Sequence, residues 1–460
     1  MSDLARAFNA LKGKQSKYAT LNDYYNGNAP LVYASEEFRA QFTRLTARFS
    51  ENWAAVVIDS LLDRLSLQGF KLDDTSASDS IENLWDELDL SLDSDEICRD
   101  VSITGEAFLM IERKEDGSVN AFANPPHLCH AFYCEDDPRE MAFAAKWFDR
   151  GGEAHLTLYY TDVLVHYVAK KQRSEVDNVN AFTLDPEFEQ GIEVNEFSRI
   201  PLFHFQRDRT SLFGELQNVI PLQNALNKLF ADMMVSAEFG AAPQRYAIID
   251  SMSADQADLK NGPNKIWKFA YDAEGSGRPQ VGQFEATQLN NFLVAIDHIA
   301  TKIAVITRTP KHFLLQQGDV SGEALIAMEA PLNRKAKKYT SRLGVTWRQC
   351  AKFILELQGF SVEANDIEPI WEDVRTIQPL TESVIRVNNS KAGIPIDTQL
   401  EREGWTDDEI EEMHSVEDAN TSRMTDAASV ARDAALARFN AGQVPGVPNA
   451  TPQEGMETEE

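Results

Sequence analysis

The sequence predicts an α+β protein built from successive segments, on three observations. Apolar residues follow helical spacing up to about residue 104. After Gly105 the pattern shifts to period two, with β-branched and aromatic residues. Helical spacing then returns over Ser211–Gly359, interrupted by one short β-like insert. The chain has 460 residues, enough for several cores, and its 43% hydrophobic and 25% charged residues are those of an ordinary soluble globular protein.

In the N-terminal segment, Leu4–Tyr25 has mixed helical periodicity. Ser50–Leu65 is amphipathic, with Trp53, Val56, Val57, Leu61 and Leu65 on one face and Ser50 as N-cap. Helices over Ile81–Leu90 and Ser94–Ile103 follow. Asp116-Gly117 between Ala107–Arg113 and Val119–Ala123 signals a hairpin. Strand-like runs at Leu128–Tyr133, Met141–Asp149, Ala154–Tyr160 and Val163–Ala169 extend it into an antiparallel meander packed on the N-terminal helices. Arg173–Gly191 reads as a polar loop, and Ile200–Phe205 as a short strand.

Ser211–Phe239 carries Leu222, Leu226, Leu229, Met233 and Ala237 at helical spacing. Pro221 lies inside it, removing a backbone donor and crowding the preceding turn, so a start or kink near Ile220 is expected. The insert Pro243–Phe284 holds strand-like runs at Arg245–Asp250 and Lys265–Tyr271, with Gly262-Pro263 and Gly275–Pro279 as turns. Ala286–Thr307 presents Leu289, Phe292, Leu293, Ile296, Ile299, Ile303 and Ile306 to a core. A polar loop to about Ser321 opens a long helix reaching Gly359. Beyond Thr376, helices are expected at Asp407–His414 and Ala428–Phe439, and Asn440–Glu460, with almost no bulky apolar residues, reads as disordered.

The net charge is −29 and uneven. Asp73–Asp100 holds eleven carboxylates against Arg99, a net of −10 (1 − 11), and Thr376–Glu460 holds seventeen against six basic residues, a net of −11 (6 − 17). Ser321–Gly359 instead nets +4 (7 − 3). An acidic surface on one copy and this basic helix on another could meet in a ring, or the helix could simply present a solvated face. Such acidity fits poorly with gripping DNA, which calls for a basic face. It is compatible with a wall that holds a passing duplex away, an effect confined by screening to about 10 Å, and equally with a charge that simply keeps the protein soluble.

Chemistry-bearing motifs are lacking. Gly275-Ser276-Gly277 is not followed by the Gly-Lys-Ser/Thr of a phosphate-binding loop, which argues against an ATP-hydrolysing motor. No His-Glu-x-x-His, Gly-x-Ser-x-Gly or paired-cysteine zinc motif occurs. Acidic pairs such as Asp73-Asp74 and Asp136-Asp137 are expected by chance among 73 carboxylates and do not make a nuclease. His127, Cys129, His130 and Cys134 offer four metal-ligating side chains within eight residues, but along a strand they would alternate between faces. An ordinary strand with buried thiols is the expected reading, with no metal and no cofactor. Cys98, Cys129, Cys134 and Cys350 suit a reducing compartment. No run approaches the roughly 20 apolar residues of a membrane span, and the N-terminus lacks a signal-peptide pattern, so a product made in the cytoplasm is expected.

Several stretches resemble, in collinear order from about residue 18 to 415, the portal proteins of tailed bacteriophages with long, non-contractile tails. They are Tyr24-Tyr25-Asn26-Gly27, the run from Asn52-Trp53 through Val56-Val57 and Asp59 to Arg64-Leu65, Thr307-Arg308-Thr309-Pro310, Ser321-Gly322-Glu323-Ala324-Leu325 and Ile370-Trp371-Glu372-Asp373. The resemblance implies a portal fold with a helical/β wing (1–210), a two-helix stem (211–242 and 285–307) and a small mixed α/β clip (243–284). A tunnel loop (308–320), a long helix returning to the wing (321–375), a helical crown (376–439) and a disordered tail (440–460) complete it. It further implies a virion protein forming a homo-oligomeric, dodecameric ring at one capsid vertex, with double-stranded DNA passing through without sequence specificity. The implied partners are the major capsid protein, scaffolding protein, terminase large subunit and head-tail adaptor, with no membrane. Arg308, Lys311 and His312 are the basic residues it would put in the channel, unless neighbouring acids pair with them. A virion scaffold or adaptor without a channel is the alternative.

Overall fold

The computed structural model describes residues 2–30, 51–114, 116–240, 245–250, 266–271, 280–285, 288–315, 321–372, 386–403, 405, 410–411, 413–416, 423, 429–430 and 432–437. They belong to two compact units, Met1–Thr376 and Ile377–Glu460.

In the first unit, helix α1 (Asp3–Tyr25) starts at Ser2, whose side chain accepts from the Ala5 N–H, and buries Ala7, Phe8, Leu11, Tyr18 and Leu21. Helix α2 (Trp53–Leu62) is capped by Asn52 rather than Ser50. The Asn52 carboxamide accepts from the Ala55 N–H at 3.2 Å and donates to the Tyr25 carbonyl at 2.6 Å, so one side chain both caps α2 and ties it to the end of α1. Strand β1 (Leu67–Lys71) follows, where only helices were expected. Helix α3 (Thr75–Glu87) begins at the capping Asp74, and α4 (Leu90–Thr104) ends at Gly105, whose φ of 96° needs a glycine. Both helices start earlier than their apolar spacing indicates.

Strands β2 (Glu106–Arg113) and β3 (Val119–Asn124) form the expected hairpin, and β10 (Leu202–Gln206) pairs antiparallel with β2 on its other edge. Strands β4 (Cys129–Tyr133), β5 (Met141–Arg150), β6 (Glu153–Tyr159) and β7 (Val163–Ala169) make the antiparallel meander. Short strands β8 (Thr183–Leu184) and β9 (Ile192–Val194) pair with β7, giving partial structure to the stretch that reads as loop. Ala7, Phe8 and Leu11 of α1 pack on Phe143, Trp147, Leu156 and Leu158 of this sheet.

Helix α5 (Leu216–Gly240) begins five residues after Ser211, and Pro221 sits in its second turn. Three strands follow: β11 (Arg245–Asp250) lies centrally, with β12 (Ile266–Tyr271) parallel on one edge and β13 (Gln280–Gln283) antiparallel on the other. Helix α6 (Asn290–Thr307) packs back on α5 through Leu216, Val219, Leu226, Ile296, Ala300 and Ile303. A helical turn α7 (Lys311–Leu314) occupies part of the expected loop, and 316–320 lie outside the described residues. Helix α8 (Gly322–Leu357), capped by Ser321, crosses the unit and brings Trp347 against Trp85 of α3 at 5.6 Å between rings. Strand β14 (Glu368–Trp371) closes the unit by pairing antiparallel with β1.

In the second unit, α9 (Ile396–Glu403) is the longest helix among the described residues, and His414 Nε2 lies 2.8 Å from Asp397 Oδ1. The helix expected at Asp407–His414 is helical at 410–411 and 413–414, and that at Ala428–Phe439 at 429–430 and 432–437, the rest of each lying outside the described residues. The tail 440–460 lies outside them as well.

Candidate functional site

The start of α5, the end of α6, the segment 308–315 and the middle of α8 meet at one place, and glycine makes the approach possible. A Cβ on Gly214 would fall 1.8 Å from the Ile103 carbonyl oxygen, and one on Gly105 would fall 2.6 Å from the Phe213 nitrogen. With no side chains there, the segment leading into α5 lies flat against the end of α4, and the Glu215 N–H donates to the Ser102 carbonyl at 2.8 Å.

Glu215 is therefore fixed at the start of α5 with its carboxylate buried. It accepts from the Tyr339 hydroxyl at 2.9 Å, pairs with Arg207 Nη2 at 3.0 Å and with Lys335 Nζ at 3.3 Å. Lys335 also donates to the carbonyl of Thr307 at 2.6 Å, the last residue of α6. An ammonium there satisfies an orphan carbonyl and opposes the negative end of the helix dipole. Burial lowers the Lys335 pKa against the pull of Glu215, and burial raises that of Tyr339. A single lysine of α8 thus clamps the start of α5 to the end of α6.

Arg308 follows α6 with φ 61°, the left-handed conformation that stops the helix before Pro310. Its exposed side chain lines a cavity of about 430 Å³ with Arg207, Lys335, Lys338 and Arg342. Lys311 pairs with Asp297 of α6 at 2.9 Å. His312 Nε2 lies 3.5 Å from Glu329 Oε1 of α8, while its Nδ1 is buried with no hydrogen-bond partner among the described residues. The three predicted residues thus face three different surroundings, and two have acidic partners in the same chain. Glu329 also pairs with Arg64 Nη2 at 3.0 Å; Arg64 Nε donates to Asn333 at 2.7 Å and its guanidinium lies 5.7 Å from the Phe313 ring centre. Arg64, just past α2, therefore holds both the segment after α6 and the start of α8.

Sequence reading missed the Glu215–Lys335–Arg207–Tyr339 cluster. Its one signal was Lys335 amid the buried spacing of Leu332, Ala336, Tyr339 and Leu343, where a charge needs a partner. A second buried cluster was missed too: Glu106 accepts from Lys14 at 2.6 Å and Tyr18 at 2.6 Å, and His204 Nε2 lies 2.9 Å away. Burial pushes the Glu106 pKa up, but Lys14 and His204 outweigh it and hold the carboxyl below the usual range.

The Cys129–Cys134 region is strand β4 and the turn after it. Cys129 is fully buried, its thiol pushed up to about 12 by burial, and its carbonyl accepts from Lys14 at 2.6 Å. Among the described residues no three His, Cys, Asp or Glu side chains gather as metal ligands, and no helix is long and apolar enough to cross a membrane.

Residues 6–423 match the family described as phage portal protein, SPP1 Gp6-like. The portal protein of Mycobacterium phage L5 is 23% identical over 351 residues, 69% of this chain and 68% of that protein. That of Mycobacterium phage D29 is 24% identical over 347 residues, with the same shares covered. The long crossing helix, the paired helices before it and the β-insert between them all fall within that match. The chain belongs to the SPP1 Gp6-like family of phage portal proteins, structural components of the virion and not enzymes.

Proposed function

We propose that copies of this chain form a dodecameric ring at one vertex of the phage head, whose central channel carries genomic DNA during packaging and ejection. The observation that carries the reading is the family match over 6–423, which spans every segment the function needs. In this reading 1–210 form the wing, α5 and α6 the stem, 243–284 the clip, 308–320 the tunnel loop, 321–375 the return to the wing and 376–439 the crown. The ring docks the terminase large subunit during packaging and the head-tail adaptor afterwards, within a shell of major capsid protein assembled with scaffolding protein.

The Glu215–Lys335–Thr307 clamp supports this assignment mechanically. A stem that transmits load between clip and wing needs its two helix ends fixed, and here one buried cation holds both. Arg308, Lys311 and His312 would touch phosphates in passing, contacts that position a duplex without reading its sequence. Asp297 and Glu329 temper Lys311 and His312, so that DNA meets a weakly attractive rather than a gripping surface.

The test is DNA content of particles carrying Lys311→Ala or Lys311→Glu, with ring assembly checked by electron microscopy. The alanine variant is expected to package mildly less DNA and the glutamate variant markedly less, whatever the DNA sequence. Normal packaging by intact Lys311→Glu rings would refute the channel role of Lys311, and broken rings would move it to a subunit contact.

A further inference from the structure

The acidity of this chain stops abruptly at one groove. The 430 Å³ cavity beside Thr307 is lined by Arg207, Arg308, Lys335, Lys338 and Arg342 against Asp208 and Glu215, a net of +3 (5 − 2) in a protein of net −29. A neighbouring cavity of about 530 Å³ shares Arg207, Asp208 and Arg342 and adds Arg139 and Arg209. The groove floor is internally compensated, because Glu215 takes up Lys335 and Arg207. Its rim is not. Among the described residues Lys338 makes no ion pair, and Arg342, which also donates to the Arg207 carbonyl, has Asp208 as its one acidic partner, at 3.7 Å. Like charges left together at a rim favour a partner that brings carboxylates.

The sequence holds such a partner. Asp79, Glu82 and Asp86 of α3 are exposed and recur at helical spacing, so they form one stripe, and none has an ion pair among the described residues. Asp89, Asp95 and Glu96 continue the negative surface onto α4. This stripe is turned from the groove of its own copy. Lys338, Arg342, Val345 and Gln349 recur every three or four residues along one side of α8. Leu343, Trp347, Cys350 and Ile354 occupy another side and are buried in the core that includes Trp85 and Leu84 of α3. Groove and stripe thus flank α8 on different sides. At about 1.5 Å per residue the stripe runs about 10 Å and the α8 face about 16 Å, so one helix can lie along the other.

We infer that the groove across α8 is the seat for the acidic α3–α4 face of the next copy. The proposal rests on the ring reading and adds which surfaces meet. Two complementary patches on different sides of one subunit make a head-to-tail contact, the kind that closes into a ring and not into a two-fold dimer. Arg308 lines the groove beside Thr307, outside the Lys338–Gln349 face of α8, which leaves it for the role proposed for it above.

The experiment uses the full chain and native mass measurement at fixed concentration and physiological salt. Lys338→Glu combined with Arg342→Glu, both on exposed side chains, is expected to weaken assembly about tenfold or more while circular dichroism stays unchanged. Adding Glu82→Lys and Asp86→Lys to the same chain should restore assembly. Independently, in a Cys134→Ser background, Arg342→Cys mixed with Glu82→Cys should form a disulfide between copies. Wild-type protein that never forms rings would overturn the ring reading itself. Wild-type rings that persist in the reversed variant, with no crosslink between the two introduced cysteines, would overturn this inference alone. Reversed rings that assemble normally but package less DNA would also overturn it, showing that the groove meets phosphates instead.

Discussion

Replacing Glu215 by Gln probes the joint on which the paired helices depend. The amide still accepts from the Tyr339 hydroxyl but no longer offsets two cations. Lys335, with a side chain only 10% exposed, would keep just the Thr307 carbonyl, and Arg207 would keep its bond to the Phe213 carbonyl. Breaking a buried ion pair by removing one partner typically costs about 3–5 kcal/mol. Two features pull the expectation to the lower end. Arg207 is 29% exposed and can rehydrate, and burial has already lowered the Lys335 pKa, so that ammonium can shed its proton. The expected loss is therefore about 3 kcal/mol. Changing Lys335 to Met in the same chain removes the stranded charge and should recover about 2 kcal/mol of it, leaving the lost cap on α6. Urea unfolding followed by tryptophan fluorescence reads this directly, because Trp85 and Trp347 are buried in the same unit. Protein concentration must be held constant, since assembly adds to apparent stability. A loss under about 1 kcal/mol, or a double variant no better than Glu215→Gln alone, would refute the clamp.

Three further outcomes are expected. Gly214→Ala places a methyl where only 1.8 Å separates it from the Ile103 carbonyl, so the chain entering α5 must move; a protease-sensitive or insoluble product is expected, and wild-type stability would contradict the close approach. Arg308→Gly relieves a left-handed residue and should stabilise by about 1 kcal/mol, whereas Arg308→Val should destabilise; thermal melts of both variants giving the reverse order would contradict the helix stop. Acid should weaken the fold in two stages. Burial pushes His130 down to about 3 from 6.5, so the unfolded chain binds a proton that the folded one does not, and stability held above pH 6.5 falls by up to about 1.4 kcal/mol per pH unit below it. Glu106, held below the usual carboxylate range, adds a second loss as pH falls through and below its ordinary 4.5. Urea midpoints that stay flat between pH 7 and pH 4 would contradict the His130 contribution.

The helices and the meander were legible because their signals are local. Apolar residues of α1 and α6 repeat every three or four positions, although Leu289, Leu293 and Ile306 of the face expected over Ala286–Thr307 are exposed in the single chain, and Asp116-Gly117 marks the β2–β3 turn on its own. Strand β1 was not legible: Leu67–Lys71 is five residues long and exists through pairing with Glu368–Trp371, which no local pattern announces. Strand β13 was hidden likewise, since Gln280–Gln283 has little apolar character and is held by β11. Helix α5 starts at Leu216, between Ser211, where the helical spacing begins, and the start or kink near Ile220 expected from Pro221: Ser211–Glu215 stays non-helical because Gly214 and Glu215 are bound to the end of α4, and Pro221 is accommodated in the second turn. For the site, the positive residues after α6 could be picked out as charges, but their acidic partners could not, because Glu329 and Asp297 are neighbours only in space. Apart from Arg207 and Glu215, which are close in sequence, the two buried ionic clusters join Glu106 and Glu215 to partners 88 to 124 positions away and left no motif to find.

Electron microscopy of the purified full chain, paired with native mass measurement, decides whether the chain forms a ring. Closed rings with an open central channel are expected, with a mass that is a whole multiple of the subunit and residues 308–315 facing the lumen. Particles that remain monomeric at every pH and salt concentration, or rings whose lumen is lined elsewhere with 308–315 buried between subunits, would contradict the proposed ring and its lining.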